Sequence, residues 1–404
     1  VDSYSIAAKW IVPERGLPLE DHFVNVSGDT IAAIDKIPTG KIVDMGHCCL
    51  TSPLVNAHCH MDLSDFDHPI PFNGNFVDWL RTVIRHRIDS VSQADAKQKQ
   101  AAARKGAIAA MIASGTGTVY DIVNTLPQDN VLSHDALEIV SFAELIAINL
   151  QRAEATIKNA TAVMLATRTY GFSPHASYTV DYEMLDSTVM RSRNNRIPVA
   201  MHVAESREEI AWLEGRAEPF HSFLTAHCDD HFHTHSFRSV SEIIERLGRA
   251  HRSLLIHGNY LSDADIDLLS TMADRIAVVY CPRTHAAFGH TRHPLEKLMN
   301  KGVQVFLGTD SLASNPDLSV WREAQFVHHN FPTIPADKVW KMISDGPRCF
   351  LSECGFQSGL EAGSQVRFAK FKLPTDRVVE SGNVFEVLLE SDQEPELVTK
   401  TLVD

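Results

Sequence analysis

Residues 54–63 read LVNAHCHMDL, and the assignment of this decapeptide decides how the rest of the chain is to be folded. It follows the turn-like Thr51-Ser52-Pro53, and Val55 and Ala57 are apolar strand positions. Side chains of a strand alternate between faces, so His58 and His60 share one side and Cys59 faces the other. Two imidazoles on one side can reach a common ion, while the thiol is turned into packing. A metal site needs more protein ligands than two, so the pair requires partners from elsewhere in the chain. As an isolated pair they read more readily as two strand histidines satisfied by neighbours.

Working outward, seven further apolar, β-branched runs alternate with helical stretches, and several of the eight end in polar residues. After PLVNAHCHM (53–61) come TGTVYDIV (116–123), LEIVSFAELIA (137–147), TYGFSPHASY (169–178), IPVAMHVAES (197–206), RSLLIHGN (252–259), RIAVVYCPRT (275–284) and VQVFLGTDS (303–311). Helices are expected in segments such as 92–115 and VSEIIERLGR (240–249). Eight strands alternating with helices predict a (β/α)8 TIM barrel, with working groups at the C-terminal ends of the strands. Residues 1–50 have a different texture, of short strands and turns, and it returns after 355 in QVRFAKFKLP and NVFEVLLES. The expected division is therefore a catalytic barrel over 51–355 and one small composite β-domain made by 1–50 and 356–404.

Composition sets outer limits. A chain of 404 residues can bury a large core, and its net charge of -14 argues against binding nucleic acid through phosphates. No apolar run approaches a membrane span. Seven scattered cysteines fit a reducing compartment better than a disulfide framework, so a cytoplasmic protein is expected.

The chemical groups fall at strand ends. His202 ends the fifth run, His257 the sixth and Asp310 the eighth. Burying Asp310 after four apolar residues is costly without a partner, and a nearby cation removes that cost. Glu205, just past the fifth strand, can reach the barrel mouth, although a helix N-terminus at SREEIAWL would also favour an acid there. His175 lies in a Pro-containing turn ending the fourth run. In NFVDWLRTVI, Phe76, Trp79, Leu80 and Val83 make a helical stripe that reads first as core, with Phe76 or Trp79 able to stack on a substrate ring. The histidine-rich HCDDHFHTH (227–235) lies in a predicted connection and reads as a solvated surface or adventitious metal trap rather than the site.

Six segments in order, NAHCHMDL, SPHASYTV, HVAESREE, LLIHGNYL, CPRTHAAFGH and GTDSLASNPDLS, together resemble the amidohydrolase superfamily, in its branch of aromatic deaminases and triazine hydrolases. The resemblance runs along nearly the whole chain. It implies one divalent metal ion held by His58, His60, His202 and Asp310, with zinc the default and iron also found in such sites. It implies that His257 orients or deprotonates a water, that Glu205 shuttles protons, and that His175 touches the substrate. No lysine ends the fourth strand, where binuclear members carry a carboxylated one, and this favours a single ion. Arg283 and Phe288 match pocket-lining positions, whereas His285 stands where many relatives have Asn. The implied reaction is hydrolytic deamination of an amino-substituted heterocycle, a purine base or nucleoside of the adenosine or aminodeoxyfutalosine type. Hydrolysis of another bond, as in a triazine or a cyclic amide, is the alternative enzyme reading. A barrel kept as a scaffold after losing its chemistry is the non-enzyme one, and it should lack some of these groups. A homodimer is the default assembly.

Overall fold

The computed structural model describes residues 3–124, 134, 136–166, 170–216, 218–224, 236–354 and 359–400. Its centre is an eight-stranded parallel sheet: β1 (Leu54–Cys59), β2 (Thr116–Val123), β3 (Glu138–Leu145), β4 (Tyr170–Pro174), β5 (Val199–Val203), β6 (Ser253–His257), β7 (Ile276–Tyr280) and β8 (Val305–Leu307). Each strand pairs in parallel with the next in sequence. β8 returns to β1: the N–H groups of Thr309 and Asp310 donate to the His58 carbonyl at 3.0 and 3.1 Å, and Cys59 bridges Asp310. Gly308 permits that approach, because a Cβ there would lie 2.7–2.9 Å from the Cβ, N and O of His58. The result is the expected (β/α)8 barrel.

Burial explains why these segments are strands. Val55, Ala57, Val140, Phe142, Ala277 and Val279 meet inside the barrel, closed below by Phe350 and Leu351. Leu255, Val278 and Tyr280, on the alternate positions, pack outward against the helical layer. Both faces are covered, which is why the runs read as continuously apolar. The helices begin where the sequence offers caps. Asp181, Ser206, Ser239 and Ser319 each accept the N3 backbone N–H with a side-chain oxygen, and Ser262 forms a capping box with Asp265.

The chain ends build two further sheets. Thr30–Asp35, Phe23–Ser27, Ser3–Ala7 and Lys41–Asp44 form the first. The second orders Glu396–Thr399, Arg367–Lys372, Cys48–Thr51, Trp10–Val12 and Leu19–Glu20, so both termini share one sheet. A buried Arg348–Glu14 pair at 2.8 Å ties it to the barrel floor. One expectation is corrected. NVFEVLLES is not strand: Val384–Leu389 is a helix. Its Val384, Val387 and Leu388 fall at helical spacing, and the carbonyls of Leu388 and Leu389 accept from Trp321 and Gln325 of the barrel's outer layer. Tertiary burial overrode the β-propensity of its valines. No helix among the described residues is long and apolar enough to cross a membrane.

Candidate active site

The site is built where strand regularity fails. The register of β1 against β2 shifts between Asn56 and Cys59. Val55 and Ala57 point into the barrel, yet Cys59 packs outward with Ala107, Ile108 and Met111. The bulge thus reverses the alternation and brings both His58 and His60 to the mouth. At the far ends of other strands, Ala204, His257 and Asp310 hold positive φ of 55°, 72° and 61°. Such left-handed backbone is costly for non-glycine residues and clusters at functional sites. In β6 the interior positions are Leu254 and Ile256, so His257 would face outward were its backbone extended.

One atom each of His58, His60 and His202 lies within 4.8 Å of the others, and this is the one such group of three among the described residues. Asp310 adjoins from the His58–His60 side, with Oδ1 3.5 Å from His58 Nε2 and 3.8 Å from His60 Nε2. His202 donates from Nδ1–H to the His175 carbonyl at 2.9 Å, which leaves its Nε2 as a lone pair. That lone pair is 3.2 Å from His60 Nε2. Two tetrahedral ligands about 2.0–2.1 Å from one zinc ion would be about 3.4 Å apart. His58 is fully buried, and neither of its ring nitrogens has a hydrogen-bond partner. A buried imidazole without any partner is expensive, and a cation relieves it. The donor set of three nitrogens and one carboxylate fits a divalent transition metal. Burial, reinforced by the neighbouring imidazoles, holds His60 and His202 well below the usual histidine range, in the neutral form that binds metal. Burial pushes Asp310 up, but the neighbouring His58 ring, 3.5 Å away, with His60 and His257, outweighs it and holds the carboxylate below its usual range.

Beside this group stand Glu205 and His257, with Oε1 and Nε2 3.5 Å apart. Burial, then the charges of Asp310, Glu209 and Glu208, push Glu205 well above the carboxylate range. Burial lowers His257 to about 3. A carboxyl whose hold on a proton is strengthened, next to an imidazole whose hold is weakened, is an arrangement suited to proton transfer. His175 extends the wall, its ring 5.1 Å from that of His202 and its Nδ1 2.7 Å from Thr179 Oγ1.

Other expected residues have these places. Phe76 and Trp79 are buried among Tyr178, Phe220 and Phe288, an aromatic cluster that includes Ala176 of the loop after β4. The Phe76 N–H donates to Glu208 Oε1 at 3.0 Å, tying the helix Phe76–Ser92 to the first turn of the helix Arg207–Leu213 that follows Glu205. Arg283 spends its guanidinium within the protein: Nε meets Glu323 Oε1 at 2.6 Å, and Nη1 and Nη2 meet Asp317 at 2.8 and 2.6 Å. These bonds tie the segment after β7 to the one after β8. The 227–235 segment lies outside the described residues.

Several supporting groups were not anticipated. Glu209, fully buried, accepts from the Glu205 N–H and from Ser177 Oγ, both at 2.8 Å. It thereby clamps the loops after β4 and β5, and burial lifts it to about 7. The signal was Ser206-x-x-Glu209, a capping-box spacing whose acid reaches one residue further back. Ser314 Oγ donates to Asp310 Oδ2 at 2.6 Å, and His293 Nε2–H donates to the His257 carbonyl at 2.9 Å. Asn315 Nδ2 is held by Glu323 Oε1 and the Thr309 carbonyl, at 2.7 and 2.8 Å.

A parallel barrel with histidines from β1 and β5 and an aspartate after β8 defines the metal-centred hydrolase class of this architecture. Residues 51–344 match the model of the Amidohydrolase family, and the chain belongs to that family. It is 24% identical over 336 residues to an adenosine deaminase of Helicobacter pylori, covering 81% of this chain and 80% of that protein. Its fold superposes on a crystal structure of Helicobacter pylori aminofutalosine deaminase with methylthio-coformycin, at a TM-score of 0.82 and 20% identity, over 97% of each chain. An atrazine chlorohydrolase of Arthrobacter aurescens, solved with zinc and atraton, gives a TM-score of 0.75 at 14% identity over 98% of this chain and 93% of that one.

Proposed function

We propose that the chain is a metal-dependent hydrolytic deaminase that releases ammonia from an amino-substituted purine nucleoside derivative. The observation that carries this reading is the convergence of His58, His60, His202 and Asp310 beside the Glu205–His257 pair. Those four residues would hold one Zn²⁺. When bound, the ion supplies Lewis acidity, which brings the pKa of a water from about 15.7 to about 7. The relatives named for adenosine and aminofutalosine support the substrate class.

The chain's own groups account for the proton traffic. His257 Nε2, neutral at physiological pH, accepts a hydrogen bond from the attacking water and aims it. Glu205, protonated through burial, delivers its proton to a ring nitrogen and makes the adjacent carbon electrophilic. The Glu205 carboxylate then takes a proton from the attacking water and relays it to the departing amine. Ammonia leaves as its carbon–nitrogen bond breaks, and the remaining hydroxyl proton returns to Glu205 as the product carbonyl forms. Asp310, fixed by Ser314, remains an ionised acceptor throughout. Phe76, Trp79 and Phe288 keep bulk water from the mouth, which strengthens every charge interaction within it.

We further propose a cytoplasmic homodimer, with 51–355 as the catalytic domain and 1–50 with 356–404 as the β-domain. The likeness to the atrazine chlorohydrolase favours, as a second reading, displacement of a different leaving group from a heteroaromatic carbon. A screen of ammonia and chloride release over adenine, adenosine, its thioether derivatives and a chlorotriazine separates the two. Turnover of an adenosine derivative with stoichiometric ammonia is expected. Chloride release without ammonia release would establish the second reading.

A further inference from the structure

We propose that Glu144 and His175 form a subsite for a sugar hydroxyl of the substrate, so that the protein selects nucleosides over free bases; the inference deepens the deaminase reading and rests on it. Val140 and Phe142 of β3 point into the barrel, so Glu144, two residues further on, faces the mouth. It is 5% exposed, a lone carboxylate at the end of an apolar strand. Its Oε2 accepts from Asn124 Nδ2 at 2.5 Å, and Asn124 is itself held through its N–H by Asp62 Oδ2 at 3.2 Å. Among the described residues no donor lies within hydrogen-bond distance of Oε1.

What faces that oxygen is His175 Nε2, at 3.9 Å. This separation is too long for a direct bond. The other ring nitrogen is already engaged with Thr179. The two atoms therefore flank a gap, one ring away from His202. Oε1 is the carboxylate oxygen left without a protein donor, and a ligand hydroxyl there would make a charge-assisted hydrogen bond in nearly buried surroundings. A hydroxyl is the group that suits either tautomer of His175. It donates to Glu144 Oε1, and it accepts from Nε2–H when the proton is there. Where Nε2 is instead a lone pair, neighbouring hydroxyls donate to both atoms. An amine serves only the second case.

The test is equilibrium binding of the product-like probes inosine and 2′,3′-dideoxyinosine to the metal-loaded protein and to Glu144→Gln, alongside ammonia release. Gln keeps an acceptor for Asn124 and removes the anionic partner. The wild-type protein should bind inosine about tenfold or more tightly than the dideoxy probe, as expected for a charge-assisted bond to a hydroxyl. In Glu144→Gln the ratio should fall to about one, with Tm and metal content unchanged. Equal binding of both probes by the wild type, or an undiminished ratio in Glu144→Gln, overturns the assignment. If Glu144→Gln does not fold, Glu144→Asp decides, and it should show an intermediate ratio. Hydroxyl-dependent binding without ammonia release would uphold the subsite and remove the deaminase reading. Ammonia release without hydroxyl dependence would do the reverse.

Discussion

Two groups of buried histidines lie near one another at the barrel mouth, and they are built differently. His58, His60 and His202 bring three ring nitrogens within 4.8 Å, with Asp310 alongside, and neither ring nitrogen of His58 is hydrogen-bonded. His285, His290 and His293 also sit together, with ring centroids 5.3 and 5.8 Å apart. Two of them have a visible anchor: His293 donates to the His257 carbonyl and stacks on Tyr280 at 3.9 Å, and His290 meets the Tyr260 hydroxyl at 2.9 Å. Their remaining nitrogens do not converge on a point. The difference teaches that density of histidine does not make a metal centre. Each of His285, His290 and His293 also keeps one unbonded buried nitrogen, so what makes a metal centre is convergence of such nitrogens on a common focus, with an anionic neighbour to compensate the ion's charge.

The largest effect should come from removing the unspent ring. His58→Ala should abolish metal binding and lower turnover by about a thousandfold or more, while His290→Ala keeps full metal content; elemental analysis and ammonia release read both. Loss of metal from the His290 variant would erase the distinction drawn here. Next, Glu205→Gln should retain the ion and lose about 10²–10⁴ in kcat, the usual worth of a proton-transfer group. Normal turnover in that variant would move the proton shuttle elsewhere.

Smaller effects are expected from the supports. His293→Ala removes a hydrogen bond and a stacked ring beneath the strained His257, and should cost about 1–3 kcal/mol of stability with little change in metal content. Denaturant unfolding measures it, and a wild-type-like midpoint would argue against that support. Glu209 sharpens the picture through pH. Its folded pKa of about 7 lies above the ordinary value of 4.5, because burial favours the neutral acid. The folded state therefore binds more protons than the unfolded one between those pH values, and this contribution to stability is lost as pH rises from about 4.5 to about 7. Glu209→Gln should flatten the fall of Tm across that window. An unchanged slope would mean that another group titrates there.

Much of this site could be read before folding, for identifiable reasons. His58, His60 and His202 end apolar strands, and Asp310 follows one, so barrel geometry alone collects them at one rim. Backbone conformation was not legible: the bulge in β1 and the positive φ of His257 and Asp310 arise from closure of the barrel around these residues, and no local signal encodes them. Glu144 escaped notice although it obeys the logic applied to Asp310, an acid ending an apolar strand. Glu209 was hidden by its resemblance to an ordinary first-turn acid of a helix. The 384–389 segment was misread because its valines suit either strand or helix, and only contact with Trp321 and Gln325 settles the matter.

The measurement closest to the central claim is the metal-to-chain ratio of protein purified without added metal, compared with Asp310→Asn and with His202→Ala. One divalent ion per chain in the unaltered protein, falling toward none in both variants while the fold persists by circular dichroism, is the predicted result. A folded wild-type chain devoid of metal, or variants that keep a full complement, would contradict it.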